Sequence, residues 1–196
     1  MKDNKMPLMR KLCVVFGACL LAAALVTLSL WQWNIYSSRR QAENCVDTLR
    51  TLLPDVRDAG VEERRDNTMS VLSVNGTDFL GIIEIPRHGS VLPVGAQWGS
   101  VSKYPCRFSG SVYDKSIVVG ATTQDGQYDF YRDLTLGDVV VFTDAEGNRF
   151  TYKISSMRYE KHADKAALER EQSAFTLFIK NVYSFDYLVV YCDTPY

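Results

Sequence analysis

From Leu12 to Ser38 the chain carries no charged residue, and its opening stretch, LCVVFGACLLAAALVTLSLW, is almost wholly apolar. At about 1.5 Å rise per residue, a helix of that length spans a hydrocarbon core of about 30 Å. Lys2, Lys5, Arg10 and Lys11 precede the run, and Trp31, Trp33 and Tyr36 lie at its far end. Basic residues stay on the cytoplasmic side and aromatic rings gather at the interface, so the pattern predicts a cytoplasmic N-terminus and an exported remainder. A cleaved signal peptide is the rival. Its apolar core would be about 7–15 residues and would end at small residues, whereas here the alanines lie mid-run and apolar residues continue to Trp31. An uncleaved single-pass anchor is the preferred reading.

The exported part is long enough for one domain with its own core. Residues 1–11 read as a cytoplasmic N-terminus, 12–33 as a transmembrane helix, 37–68 as an amphipathic helix and linker, and 69–196 as a single domain. Lys and Arg total 22 against 23 for Asp and Glu, and they are interspersed. That balance argues against a nucleic-acid partner.

Ala42, Cys45, Val46, Leu49, Leu52 and Leu53 recur at helical spacing, and Pro54 supplies a stop. The charged stretch DVRDAGVEERRDNT that follows has no period and reads as a solvated linker. From about Val71 the pattern changes to short runs: SVLSV, FLGIIEI, SVLPV, SIVVG, DVVVFT, RFTYKIS, FTLFI and YLVVY. Asp144 to Asn148 (DAEGN) separates two of them with residues that tolerate positive φ, and predicts a hairpin. ADKAALEREQ, residues 163–172, is the one later helix signal. The fold class is therefore mainly β, an eight-stranded β-barrel with one or two short helices. Strand count alone leaves a sandwich open.

Four stretches resemble the sortases, cysteine transpeptidases of bacterial surfaces. They are DFLGIIEIPRHGSVLPV (78–94), WGSVSKYPCRFSGS (98–111), the span from Ser116 to Ile154 with its Leu-Thr-Leu-Gly-Asp turn, and the final strand pair FTLFIKNVYSFDYLVVYC (175–192). Each is weak alone, but their order and spacing match. The resemblance implies a membrane-anchored, outward-facing barrel that handles a peptide sorting motif or a pilin subunit, in company with other sortases, without a cofactor. In the family a Cys attacks, a His moves the proton and an Arg steadies the oxyanion or the substrate.

Carried over residue by residue, that chemistry is missing. The His position follows Ile117-Val118-Val119 and falls on Thr122, or on Ala121 with a one-residue shift. If Phe175–Ile179 is the Cys-bearing strand, Lys180 stands at the Cys position and Tyr187 at about the Arg position. The rival register makes Cys192 the nucleophile with His162 as helper, and implies a working transpeptidase. Only four residues follow Cys192, too few for the closing strand that brings the Arg, so the first register is preferred. A third reading is an exported domain with a purely structural role.

Lys180 as a new nucleophile would need a burial-lowered pKa; a solvated charge at a strand end is the plainer expectation. His88 and His162, the two histidines, read as solvated turn or loop residues. Cys13 and Cys19 sit in the apolar run, and Cys45, Cys106 and Cys192 on the exported side, where disulfides are permitted. A bridge between Cys106 and Cys192 would staple the last strand to the barrel. Asp125, Asp129, Asp133, Asp138 and Asp144 lack a calcium-loop spacing, so no metal is expected.

Overall fold

The computed structural model describes residues 8–58, 67–101, 103–123, 127–128, 130–162, 173–184 and 186–195. They divide between two compact units, up to Ser37 and from Ser38 onward. The first unit's described residues are helical throughout, and large apolar side chains from Leu12 to Tyr36, among them Phe16, Leu21 and Trp33, are exposed. It belongs to α1 (Leu8–Leu52), which is long and apolar enough to cross a membrane, with a mean hydropathy of 2.5 over its most apolar window. α1 includes residues of both the expected spanning segment, 12–33, and the expected amphipathic helix. No glycine or proline falls between Trp33 and Leu53 to interrupt it.

Within the second unit the last turns of α1 bury Val46 and Leu49 against Val74, Phe79 and Ile82, while Arg50 pairs with Glu84 at 2.9 Å. Leu52, expected on the same stripe, is exposed. The helix ends where Leu53 N–H donates to Leu49 O, just before Pro54.

The strands are β1 (Arg57–Asp58), β2 (Leu72–Val74), β3 (Thr77–Ile85), β4 (Ser90–Gly95), β5 (Cys106–Ser109), β6 (Ile117–Thr122), β7 (Val139–Asp144), β8 (Asn148–Glu160), β9 (Phe175–Lys180) and β10 (Tyr187–Asp193). Eight of them close on themselves in the order β3-β4-β5-β6-β9-β10-β8-β7 and back to β3. The β4–β5 and β6–β9 pairs are parallel, and the other pairs of the ring are antiparallel. This is the expected barrel rather than a sandwich, but its membership differs by one strand. SVLSV supplies β2, which only extends β3 at the edge, and Cys106–Ser109 takes the eighth place. Part of the expected linker is also ordered: Arg57 and Asp58 pair with Asn148 and Arg149. Residues 163–172, where a late helix was expected, lie outside the described residues.

Alternate residues fill the interior with Ile83, Val119, Phe142, Phe175, Leu177 and Val190 among others, all buried. Two turns hold the ring. At the β7–β8 hairpin Asp144 Oδ1 accepts from the N–H groups of Glu146 (2.9 Å) and Asn148 (2.8 Å), and Gly147 takes φ +81°. At the Leu-Thr-Leu-Gly-Asp turn Asp138 accepts from Thr135 N–H (2.8 Å) and from Arg87 (2.7 Å).

Candidate functional site

β6, β9 and β10 lie side by side, and their register sets the site. Thr122 is opposite Lys180, and Lys180 is opposite Tyr187. Strand alternation assigns the faces. Ala121, Ile179, Leu188 and Cys192 point into the barrel core, whereas Val118, Phe178, Val189 and Tyr191 form a separate cluster joined by Phe108 and Tyr187. Thr122, Lys180 and Tyr187 share the parity of that second set, so they form one row on the outer face. Thr122 is buried, and Lys180 and Tyr187 are half-buried. The Lys180 ammonium lies 6.0 Å from the centre of the Tyr187 ring, within reach of a cation–π attraction.

The end of the row is tied down. Thr123 N–H donates to Lys180 O (3.0 Å), and Thr123 Oγ1 accepts from Val182 N–H (3.3 Å). Asn181, buried, accepts from Tyr183 N–H (2.9 Å) and Ser184 N–H (3.3 Å), and its amide donates to Tyr131 Oη at 2.6 Å. Arg132 Nε donates to the same oxygen at 2.9 Å. These bonds tie Asn181 to Ser184, just after β9, to the end of the row and to Tyr131.

One row along the same face, Gly120 lies opposite Phe178 and Phe178 opposite Val189. The Trp98 ring covers Gly120. A Cβ there would fall 2.4 Å from two Trp98 ring atoms and 2.6 Å from Phe178 Cζ. Trp98, Phe108 and Phe178 pack together, with Trp98–Phe108 (5.1 Å) and Phe108–Phe178 (5.4 Å) edge to face and Trp98–Phe178 tilted at 5.5 Å between ring centres. Sequence reading placed Trp98 only within a resemblance. A glycine ending the apolar run of SIVVG was the available signal, since glycine inside a strand marks close approach by another group.

Cys192, the nucleophile of the rival register, lies on β10. Cys192 is 0% exposed and packs in the barrel core, where burial pushes its thiol pKa up, with Asp193 adding to the effect. It lies opposite Ile154, whereas His162 is exposed beyond Glu160, at the other end of the β8–β10 pairing. Six residues of strand separate Ile154 from Glu160, roughly 20 Å. Cys106 and Cys192, the pair considered for a staple, are both buried and lie on β5 and β10. β6 and β9 intervene between their strands. At about 4.8 Å per strand spacing that separation exceeds the roughly 7 Å Cα reach of a disulfide.

His88 is not a solvated turn residue. Its side chain is only 13% exposed, stacks on Phe130 at 4.5 Å, and lies with Nε2 3.7 Å from Asp138 Oδ2. Asp138 and Asp144 serve the turns described above, Asp133 is exposed, and Asp125 and Asp129 lie outside the described residues. Among the described residues no group of three or more His, Cys, Asp or Glu side chains is arranged to hold a metal.

No protein-family model matches the sequence, and no curated protein does. Solved structures do resemble the fold. Sortase C-3 from Streptococcus pneumoniae aligns with a TM-score of 0.53 at 15% identity, covering 82% of this chain and 83% of that one. Sortase C1 from Streptococcus agalactiae aligns with a TM-score of 0.52 at 17% identity, covering 63% and 71%. A Clostridium perfringens sortase D5 transpeptidase gives a TM-score of 0.50 at 13% identity, covering 61% and 80%. The chain has a sortase-like fold.

Proposed function

We propose that this protein is a membrane-anchored, outward-facing, sortase-like barrel of a bacterial surface that binds a sorting peptide or pilin segment without cleaving it. The observation that carries this reading is the row Thr122–Lys180–Tyr187 on the outer face of three adjacent strands. The sequence resemblance assigns these three positions to the family's His, Cys and Arg. A threonine cannot move a proton near neutral pH as an imidazole does. A lysine forms no thioester, and a neutral tyrosine brings no fixed charge to an oxyanion. A groove outlasts its catalytic side chains because it is built by the backbone and the core. The apolar stretch of α1 would be the anchor, with its basic N-terminal flank in the cytoplasm. Binding would let the protein act as a scaffold or regulator beside a working sortase.

The test is incubation of the full chain in detergent with sorting-motif peptides and an amine acceptor, followed by titration and intact-mass measurement. Saturable binding with no acyl adduct and no transfer product is expected. An acyl adduct on Cys192, or turnover, would overturn the reading.

A further inference from the structure

β8 ends at Glu160, β9 ends at Lys180 and β10 begins at Tyr187, so the three strands share one rim of the barrel. A guanidinium is held at that rim. Arg132 Nε donates to Tyr131 Oη at 2.9 Å, and the same oxygen accepts from Asn181 Nδ2 at 2.6 Å. Tyr131 is 6% exposed and Asn181 5%, whereas Arg132 itself is exposed. The hydrogen bond to Tyr131 raises the guanidinium pKa, and Tyr159 and Asp186 nearby also favour the charged form. Asn181, Asp186 and Tyr159 are the chain neighbours of Lys180, Tyr187 and Glu160, so Arg132 stands beside the end of the row.

We infer that Arg132 is the anchor for a carboxylate of the bound peptide; this rests on the peptide-binding reading above. Three features separate it from an ordinary surface arginine. Most such side chains must give up rotamer freedom to hold a partner, but here a buried tyrosine already fixes Nε, so less is lost on binding. Among the described residues Arg132 forms no ion pair, and Nε is its one guanidinium nitrogen in a hydrogen bond. That leaves Nη1 and Nη2 to meet the two oxygens of a planar carboxylate, the acceptor a guanidinium fork matches best. Asp186 does not take that place, because its carboxylate accepts from Ser184 Oγ. Lastly, Tyr159 is 61% exposed, and Tyr183, whose N–H bonds Asn181, is 72% exposed. Arginine with exposed tyrosine is the pairing that carries most of the energy at binding surfaces.

The experiment uses the full chain in detergent and octapeptides of Ser, Thr and Gly with one central Leu. Four forms are compared: a C-terminal acid or amide, each with an internal Glu or Gln. Affinities are measured by calorimetric titration in the native protein and after Arg132→Gln. The Gln amide form has no carboxylate. Relative to it, the native protein should bind at least one carboxylate-bearing form about tenfold tighter. A gain from the free acid identifies the chain terminus as the anchored group, and a gain from Glu identifies a side chain. After Arg132→Gln the gain should vanish while the Gln amide form binds as before. Equal binding of all four forms by the native protein overturns the anchor, leaves peptide binding intact, and does not rely on a variant that might not fold. A gain that survives Arg132→Gln, or an equal weakening of all four forms, also overturns it. Binding of none of the four overturns the peptide-binding reading and, with it, the anchor.

Discussion

The inner face of β6, β9 and β10 carries Ile117, Val119, Ala121, Phe175, Leu177, Ile179, Leu188, Val190 and Cys192, without one charged group. The outer face of the same strands runs from Val118 and Tyr191 through Gly120 and Phe178 to Thr122, Lys180 and Tyr187. One backbone thus supports two surfaces with different tolerances. Inside, each side chain is fixed by close packing, and a polar or smaller replacement costs stability. Outside, Lys180 and Tyr187 at the end of the last row are only half-buried, so residues there can change while the ring of strands stays closed. A barrel of this kind can keep its fold while its surface chemistry changes.

The largest effect should come from the inner face. Phe175 is fully buried against Tyr152 (5.1 Å) and Phe142 (6.3 Å). Phe175→Ala should lower unfolding free energy by about 3–5 kcal/mol in denaturant titration. An effect below about 1 kcal/mol would break the contrast between the faces. Gly120→Ala should come next, at about 1–3 kcal/mol, because the new Cβ meets the Trp98 and Phe178 rings.

A third prediction separates contacts that hold the fold from those at the row. Burial alone would raise the pKa of Asp138, but hydrogen bonds from Arg87 and Thr135 outweigh it and hold the carboxyl below the usual range. A folded-state pKa below the unfolded one contributes stability above the unfolded value of about 3.9. That contribution is lost as pH falls through the folded value. Thermal stability should therefore drop below about pH 4, and Asp138→Asn should flatten that acid limb. An identical pH profile in the variant would remove Asp138 from the account. The smallest effect belongs to the outer row: Lys180→Ala should change stability by no more than about 0.5 kcal/mol.

Much of this was legible in the sequence, for physical reasons that also explain the misses. Seven of the eight ring strands are apolar runs bounded by turn residues, so the barrel could be read from them. β5 escaped because Cys106-Arg107-Phe108-Ser109 is four residues long and half polar, while SVLSV looked more strand-like yet lies at the edge. The Thr122–Lys180–Tyr187 row followed from counting strands: a final apolar run was needed to close the ring. Trp98 over Gly120 joins positions far apart in sequence, which no local pattern reports. The burial of His88 depends likewise on Phe130 and Asp138 arriving from other parts of the chain.

The account places Cys192 inside the barrel, away from any groove, and one measurement tests that placement directly. The native full chain is treated with a maleimide near neutral pH, and each modified cysteine is located by peptide mapping, with a parallel sample in denaturant. Cys192 should stay unmodified in the native protein, as should Cys106, and both should react once unfolded. Rapid labelling of Cys192 in the native state would mean that the thiol faces solvent, that the register is wrong, and that a cysteine nucleophile is back in play.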